Sequence, residues 1–154
     1  MTARERTPQA GELFDRSGAA VPERDLPSGA AKLVGFVVTS VEPGRAVVEL
    51  EAGERHLNLL GTVHGGVLCT IADTAMGVAH GSTLPEGELA TTLELKINFL
   101  RPARTGRLRA IGKLVKSGRT TALVECDVVD EQENLVARAS STYMTLRNER
   151  AGER

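Results

Sequence analysis

The period of the apolar positions changes near the middle of this 154-residue chain. From the glycine pair 65–66 onward, Val67, Leu68, Ile71, Ala72, Ala75, Met76 and Ala79 recur every three to four residues. That is the period of a helix with one buried face. The spacing predicts a helix that starts near Gly65 or Gly66 and ends at the turn signal Gly81-Ser82-Thr83-Leu84-Pro85-Glu86-Gly87. Before it, Leu33, Val34, Phe36, Val37, Val38 and Val41 predict a strand over 30–41. A second strand over 45–51 follows Glu42-Pro43-Gly44, where Pro sets φ and Gly tolerates a positive one. After the helix, Leu93, Leu95, Ile97 and Phe99 alternate with Thr92, Glu94, Lys96 and Asn98, a strand over 90–100 with those four apolar side chains on one face. Strands over 106–116, 119–129 and 135–146 complete the pattern. The expected order is two strands, one long apolar helix, then a four-stranded meander. A helix laid on an antiparallel sheet buries both apolar faces, so the class is α+β, with about six strands curling around the helix.

Composition narrows this reading. The chain has the length of one domain, and its hydrophobic fraction of 41% supplies a core. Aromatics are only 3%, so that core must be aliphatic. The domain is expected over 30–147, with a flexible N-terminal arm over 1–29 and a polar C-terminal tail over 148–154. With 19 basic and 20 acidic side chains, the net charge of -1 points to neither nucleic acid nor an anionic membrane as a partner. No segment has the pattern of a signal peptide or a bilayer span. Cys69 and Cys126 sit in apolar runs and read as reduced, buried thiols of a cytoplasmic protein.

The candidate chemistry collects around the helix. Asp73 stands among Ile71, Ala72, Ala75 and Met76. A carboxylate in such surroundings costs energy unless it is paired or used, and it can serve as nucleophile or general base. The bland alternative is a half-exposed helix Asp capped by Thr70 or Thr74. Gly65 and Gly66 sit where a helix leaves its first N–H groups unpaired, a place to hold developing negative charge. They also suit close helix–sheet packing. His64 contacts a substrate carbonyl or bonds backbone in its turn, and Asn58 bonds water or a carbonyl or simply stabilises its loop. Cys69 is a poor nucleophile deep in an apolar helix. The three histidines and two cysteines have no metal spacing, and no GxGxxG, GxxxxGK[ST] or GxSxG occurs, so neither a metal nor a cofactor is expected.

One distance bears on assembly. Gly65 and Asp73 lie eight residues apart, about 12 Å along a helix. If both serve one reaction, Asp73 must come from a second subunit, and a symmetric dimer with antiparallel helices supplies that arrangement twice.

Asn58-Leu59-Leu60-Gly61-Thr62-Val63-His64-Gly65-Gly66, with Leu68, Ala72-Asp73-Thr74-Ala75-Met76-Gly77 and Ala79, resembles the PaaI-type branch of the hotdog-fold acyl-CoA thioesterases. Thr91-Thr92-Leu93-Glu94-Leu95-Lys96-Ile97-Asn98-Phe99-Leu100-Arg101-Pro102-Ala103 resembles the family's strand after the helix, and Gly35-Phe36 through Ala46 its first hairpin. The resemblance covers about residues 30–147. It implies the hotdog fold, a homodimer with a continuous sheet, a dimer of dimers (a homotetramer), and an active site between subunits. It implies Asp73 as nucleophile or general base, Gly65 as the N–H donor to the thioester oxygen, and Asn58 as the amide that positions water or the carboxylate. Thr92 matches the assisting hydroxyl, although a one-residue register shift would exchange it for Thr91. His64 is placed in the site as a positioning group. Gly77 stands where some relatives have a Thr that holds water.

The implied reaction is hydrolysis of an acyl-CoA thioester to free acid and CoA. A non-catalytic acyl-CoA binding protein is the alternative, and an acyl-thioester hydratase a weaker one, since Val78 replaces the His of its D-x4-H pattern. Arg101, Arg104, Arg107, Lys116 and Arg119 are candidates for the CoA phosphates.

Overall fold

The computed structural model describes residues 29–85 and 88–147. The expectations of a flexible arm and a polar tail fall almost wholly outside the described residues. A short helix α1 (Gly29–Val34) leads into β1 (Phe36–Glu42) and β2 (Arg45–Ala52), and a 3-10 turn (Glu54–His56) precedes the long helix α2 (Gly65–Gly81). Then come β3 (Leu89–Phe99), β4 (Gly106–Ser117), β5 (Thr121–Val129) and β6 (Leu135–Leu146). The six strands form one antiparallel sheet, and α2 touches every one of them. This is the α+β hotdog arrangement that the resemblance implies.

Two expectations need correction. Residues 30–34 are helical, not strand. Ala30, Ala31, Lys32 and Leu33 are good helix formers. Gly35, at φ 86°, ends the turn with its N–H on the Ala31 carbonyl at 2.7 Å, and the strand starts only at Phe36. The last four strands are also not a meander. The sheet order is β1-β2-β4-β5-β6-β3, so β3 lies at the far edge beside β6, and β4 pairs with β2 instead. The 101–105 connection is too long for a tight hairpin, and Val63 N–H bonds the Ala103 carbonyl within it at 2.8 Å. That bond ties the connection to the start of α2.

The core lies between α2 and the sheet. Leu68, Ile71, Ala72, Ala75, Met76 and Ala79 are buried against Val48, Leu50, Leu108, Ala110, Val124, Val128 and Val136. Small residues set how close the helix comes. A Cβ on Gly112 of β4 would run into the Ala75 carbonyl and lie 2.9 Å from Met76 N. Backbone cannot yield as a side-chain tip can, so Gly112→Ala is expected to cost at least the 1–3 kcal/mol or so typical of overpacking. Urea unfolding measures it, and an unchanged midpoint would contradict this account of the packing.

A bulge in β3 decides which side chains face the helix. Thr92 pairs with Tyr143 and Leu95 with Ser141, and the register shifts between Thr92 and Glu94. Tyr143 and Ser141 are both buried. Thr92 and Leu95 therefore both turn inward although they are three residues apart, and Leu93 is left 54% exposed. The simple alternation, which puts Leu93 with Leu95 and opposes Thr92, fails at this extra residue.

Candidate functional site

The start of α2 is built by its own sequence. His64 is the N-cap, and its Nδ1 accepts the Gly66 N–H at 2.9 Å. The His64 carbonyl accepts the Val67 N–H at 2.9 Å. Accepting at Nδ1 puts the ring proton on Nε2. Of the first three N–H groups of the helix, only that of Gly65 has no acceptor among the described residues. Gly65 lines a cleft of about 350 Å³ with Asn58, Thr62, Leu68, Phe99 and Arg101. A free N–H at a helix N-terminus, opening on a cleft, is suited to an oxyanion. The Phe99 ring packs over the glycine, so that a Cβ there would lie 2.8 Å from its Cζ.

Asn58 lines the same cleft but is occupied with its own loop. Its Oδ1 accepts the Leu60 N–H at 2.8 Å, and its Nδ2 donates to Thr62 Oγ1 at 3.0 Å. One amide proton remains for another acceptor.

Asp73 lies two turns further along α2, away from this cleft. Thr70 and Thr74 do not cap it: their hydroxyls donate back to the carbonyls of Gly66 and Thr70, each at 2.9 Å. The carboxylate is met from the sheet instead. Thr92 Oγ1 and the Tyr143 hydroxyl both donate to Asp73 Oδ1 at 2.9 Å. The β3 bulge thus selects Thr92 over Thr91. Tyr143 was not legible as a site residue. It is the chain's single tyrosine, on an inward position of the last strand and 70 residues from its partner. The one available signal is a lone phenol on a sheet face whose other inward side chains, Ala137, Ala139, Ser141 and Thr145, are small.

The five basic candidates divide. Arg101, Arg104 and Arg107 line a groove of about 490 Å³ together with Asp130 and Glu131, and Arg101 also lines the Gly65 cleft. Lys116 and Arg119 sit at the other end of β4, about 30 Å from Arg107 along the strand. That is the Asp73 end of the sheet, since Tyr143 pairs with Ala122 and Ala122 with Ser117.

Both cysteines are free thiols. Burial, then the Asp73 charge, raises the Cys69 pKa, and burial pushes Cys126 up to about 12, which leaves neither as a nucleophile at neutral pH. Among the described residues no group of three His, Cys, Asp or Glu is placed to hold a metal, and no helix is long and apolar enough to cross a membrane.

His80, in the last turn of α2, is fully buried. Its Nε2 lies 3.3 Å from Thr145 Oγ1, and its Nδ1 has no partner among the described residues. Burial lowers its pKa below the ordinary 6.5. The unfolded chain then binds the proton more readily, so this contribution to stability is complete above pH 6.5 and is lost as pH falls through and below that value. The urea midpoint is expected to fall between pH 7 and pH 5, and His80→Phe should reduce that fall. An equal fall in both proteins would remove His80 as its cause.

Comparison with known proteins places the chain in a class. The Thioesterase superfamily matches residues 60–137, and this chain belongs to that family of hotdog-fold enzymes, whose general chemistry is hydrolysis of acyl-CoA thioesters. Within it, the similarity is to the PaaI-type branch. The acyl-coenzyme A thioesterase PaaI of Escherichia coli is 33% identical over 108 residues, 70% of this chain and 75% of that protein. The 1,4-dihydroxy-2-naphthoyl-CoA hydrolase of Listeria monocytogenes is 30% identical over 114 residues, 74% of this chain and 93% of that protein. The structure of the E. coli PaaI protein from the phenylacetic acid degradation operon superposes with a TM-score of 0.73 at 30% identity, covering 78% of this chain and 86% of that one.

Proposed function

We propose that the protein hydrolyses an acyl-CoA thioester at a site shared by two subunits. Gly65 of one chain offers its N–H to the thioester carbonyl oxygen. Asp73 of the other attacks the carbonyl carbon, or takes a proton from the water that does. Attack creates an oxyanion, which the free N–H at the positive end of α2 stabilises. The tetrahedral intermediate then collapses with loss of the CoA thiolate. If water attacks, free acid results directly. If Asp73 attacks, a mixed anhydride forms, and one water then cleaves it to the free acid and restores the Asp73 carboxylate. Asn58 borders the cleft as a positioning group, His64 acts through the helix start that it caps, and Thr92 holds the carboxylate. CoA phosphates would take the groove of Arg101, Arg104 and Arg107.

The observation that carries this reading is the pairing of two incomplete halves on one helix. A free N–H opens on a cleft, and a hydroxyl-held carboxylate lies about 12 Å away along the same axis. Edge strand β3 supports a dimer with a continuous sheet. It is 11 residues long with Leu89, Leu93 and Phe99 exposed, and Leu100 follows them. Such an edge, with these apolar side chains set among exposed Thr92, Glu94, Lys96 and Asn98, offers a row of unpaired backbone groups that a partner strand can take. A dimer of dimers follows the family, and the free thiols fit a cytoplasmic setting. Thiol release from short, medium, long and aryl acyl-CoAs tests the reading and identifies the acyl class. Hydrolysis of at least one class is expected, whereas binding without hydrolysis of any would make the protein an acyl-CoA binder.

A further inference from the structure

We infer that Tyr143 is a positioning residue for the reaction: its hydroxyl, with that of Thr92, anchors one oxygen of Asp73 so that the other is presented to the substrate. This rests on the reading of Asp73 as the nucleophile or base. The Tyr143 hydroxyl lies 2.9 Å from both the Asp73 carbonyl and Asp73 Oδ1, and it has one proton to give. The carbonyl lies mid-helix, where it already accepts the N–H four residues on. A carboxylate is the stronger acceptor, so the proton goes to Oδ1. Thr92 Oγ1 donates to the same atom. Among the described residues no donor meets Oδ2. The two oxygens of one carboxylate are thereby made unlike, one held by two donors and one free.

The surroundings fit this role. Tyr143 is 2% exposed, and its ring lies tilted against His80 with centroids 5.9 Å apart. A Cβ on Gly77 would lie 3.5 Å from both the Tyr143 hydroxyl and its Cε1. That is ordinary van der Waals distance, so the phenol packs directly against the helix at this position. Burial, outweighing the hydrogen bond with Thr92, and the Asp73 charge keep the phenol protonated well above neutral pH, so it remains a donor.

The chain has one tyrosine and no tryptophan, which makes the test specific. Growth on 3-fluorotyrosine alters Tyr143 alone and makes its phenol a stronger donor without changing its shape appreciably. Tyr143→Phe removes the donor and keeps the ring. Thiol release is measured against pH for wild type, both altered proteins and Asp73→Asn. Donors to a carboxylate favour its charged form, so losing one disfavours that form and strengthening one favours it. The acid limb of kcat/KM is expected to move to higher pH in Tyr143→Phe and to lower pH in the fluorotyrosine protein. In Tyr143→Phe kcat should fall about tenfold, with KM within about twofold, the range of one charge-assisted hydrogen bond. A merely structural tyrosine would change the amount of folded protein and leave the limb in place. An unmoved limb in the fluorotyrosine protein overturns the inference even if Tyr143→Phe fails to fold. If Asp73→Asn has lost activity while Tyr143→Phe matches wild type in kcat and limb, the positioning role falls and the reading of Asp73 stands. If Asp73→Asn is as active as wild type, both fall.

Discussion

Asp73→Asn is expected to fold, assemble and bind acyl-CoA, yet to lose at least about two decades of turnover. Asparagine keeps the shape of the side chain. Its amide oxygen accepts from the Thr92 and Tyr143 hydroxyls as Oδ1 does now at 2.9 Å, so the contacts that hold the side chain survive. What disappears is the basicity and most of the nucleophilicity of the free oxygen. Among the described residues nothing nearby replaces it. Cys69, one turn earlier, has its thiol pKa raised, and Thr70 and Thr74 spend their hydroxyls on helix carbonyls. Turnover of Asp73→Asn at the wild-type rate, with normal folding, would contradict the mechanism while leaving the fold untouched.

Gly65→Ala should cost a similar amount by a different route. Removing one oxyanion donor typically costs about 3 kcal/mol, or two to three decades in rate. A methyl group at 65 would stand 2.8 Å from Phe99 Cζ and 3.2 Å from Cε1. The ring is 54% exposed and can give way, so the loss of stability should be small. The helix N–H, however, would be shielded from a carbonyl in the cleft or turned away from it. Normal unfolding with turnover reduced at least a hundredfold is the expected result. A Gly65→Ala/Phe99→Leu variant relieves the contact with the ring, and recovery there would move the cause from the N–H to Phe99. Unchanged turnover in Gly65→Ala would remove the Gly65 N–H from the reaction.

What the sequence discloses depends on how local the cause is. The start of α2 is legible because glycines at 65 and 66 precede a 3.6-residue period, and the strands after 106 are legible from alternation and turns. Helix α1 is not, since Leu33 and Val34 run into Phe36 and Val37 as one apolar stretch, and only the positive φ of Gly35 separates them. The place of β3 beside β6 is settled by pairing across about 50 residues, which no local pattern encodes. The bulge past Thr92 inverts the simple alternation there and leaves Leu93 outside. Tyr143 escapes notice for the same reason: its meaning lies in meeting Asp73 from another element. The spacing of Gly65 and Asp73 is different, because a helix converts sequence separation directly into distance, and so the case for a second subunit can be made before any coordinates.

That shared site is the central claim, and subunit mixing tests it most directly. In a dimer, one site takes Asp73 from the first chain and Gly65 from the second, and the other site takes the reverse. Co-expression of Asp73→Asn with Gly65→Ala puts both defects in one site of each hybrid and leaves the other site intact. With random assembly half the dimers are hybrids and half of their sites are whole, so about a quarter of wild-type activity should return although each variant alone is nearly inactive. Activity no higher than the mean of the two separate variants, from a preparation shown to contain hybrids, would mean that Gly65 and Asp73 do not act together across the interface.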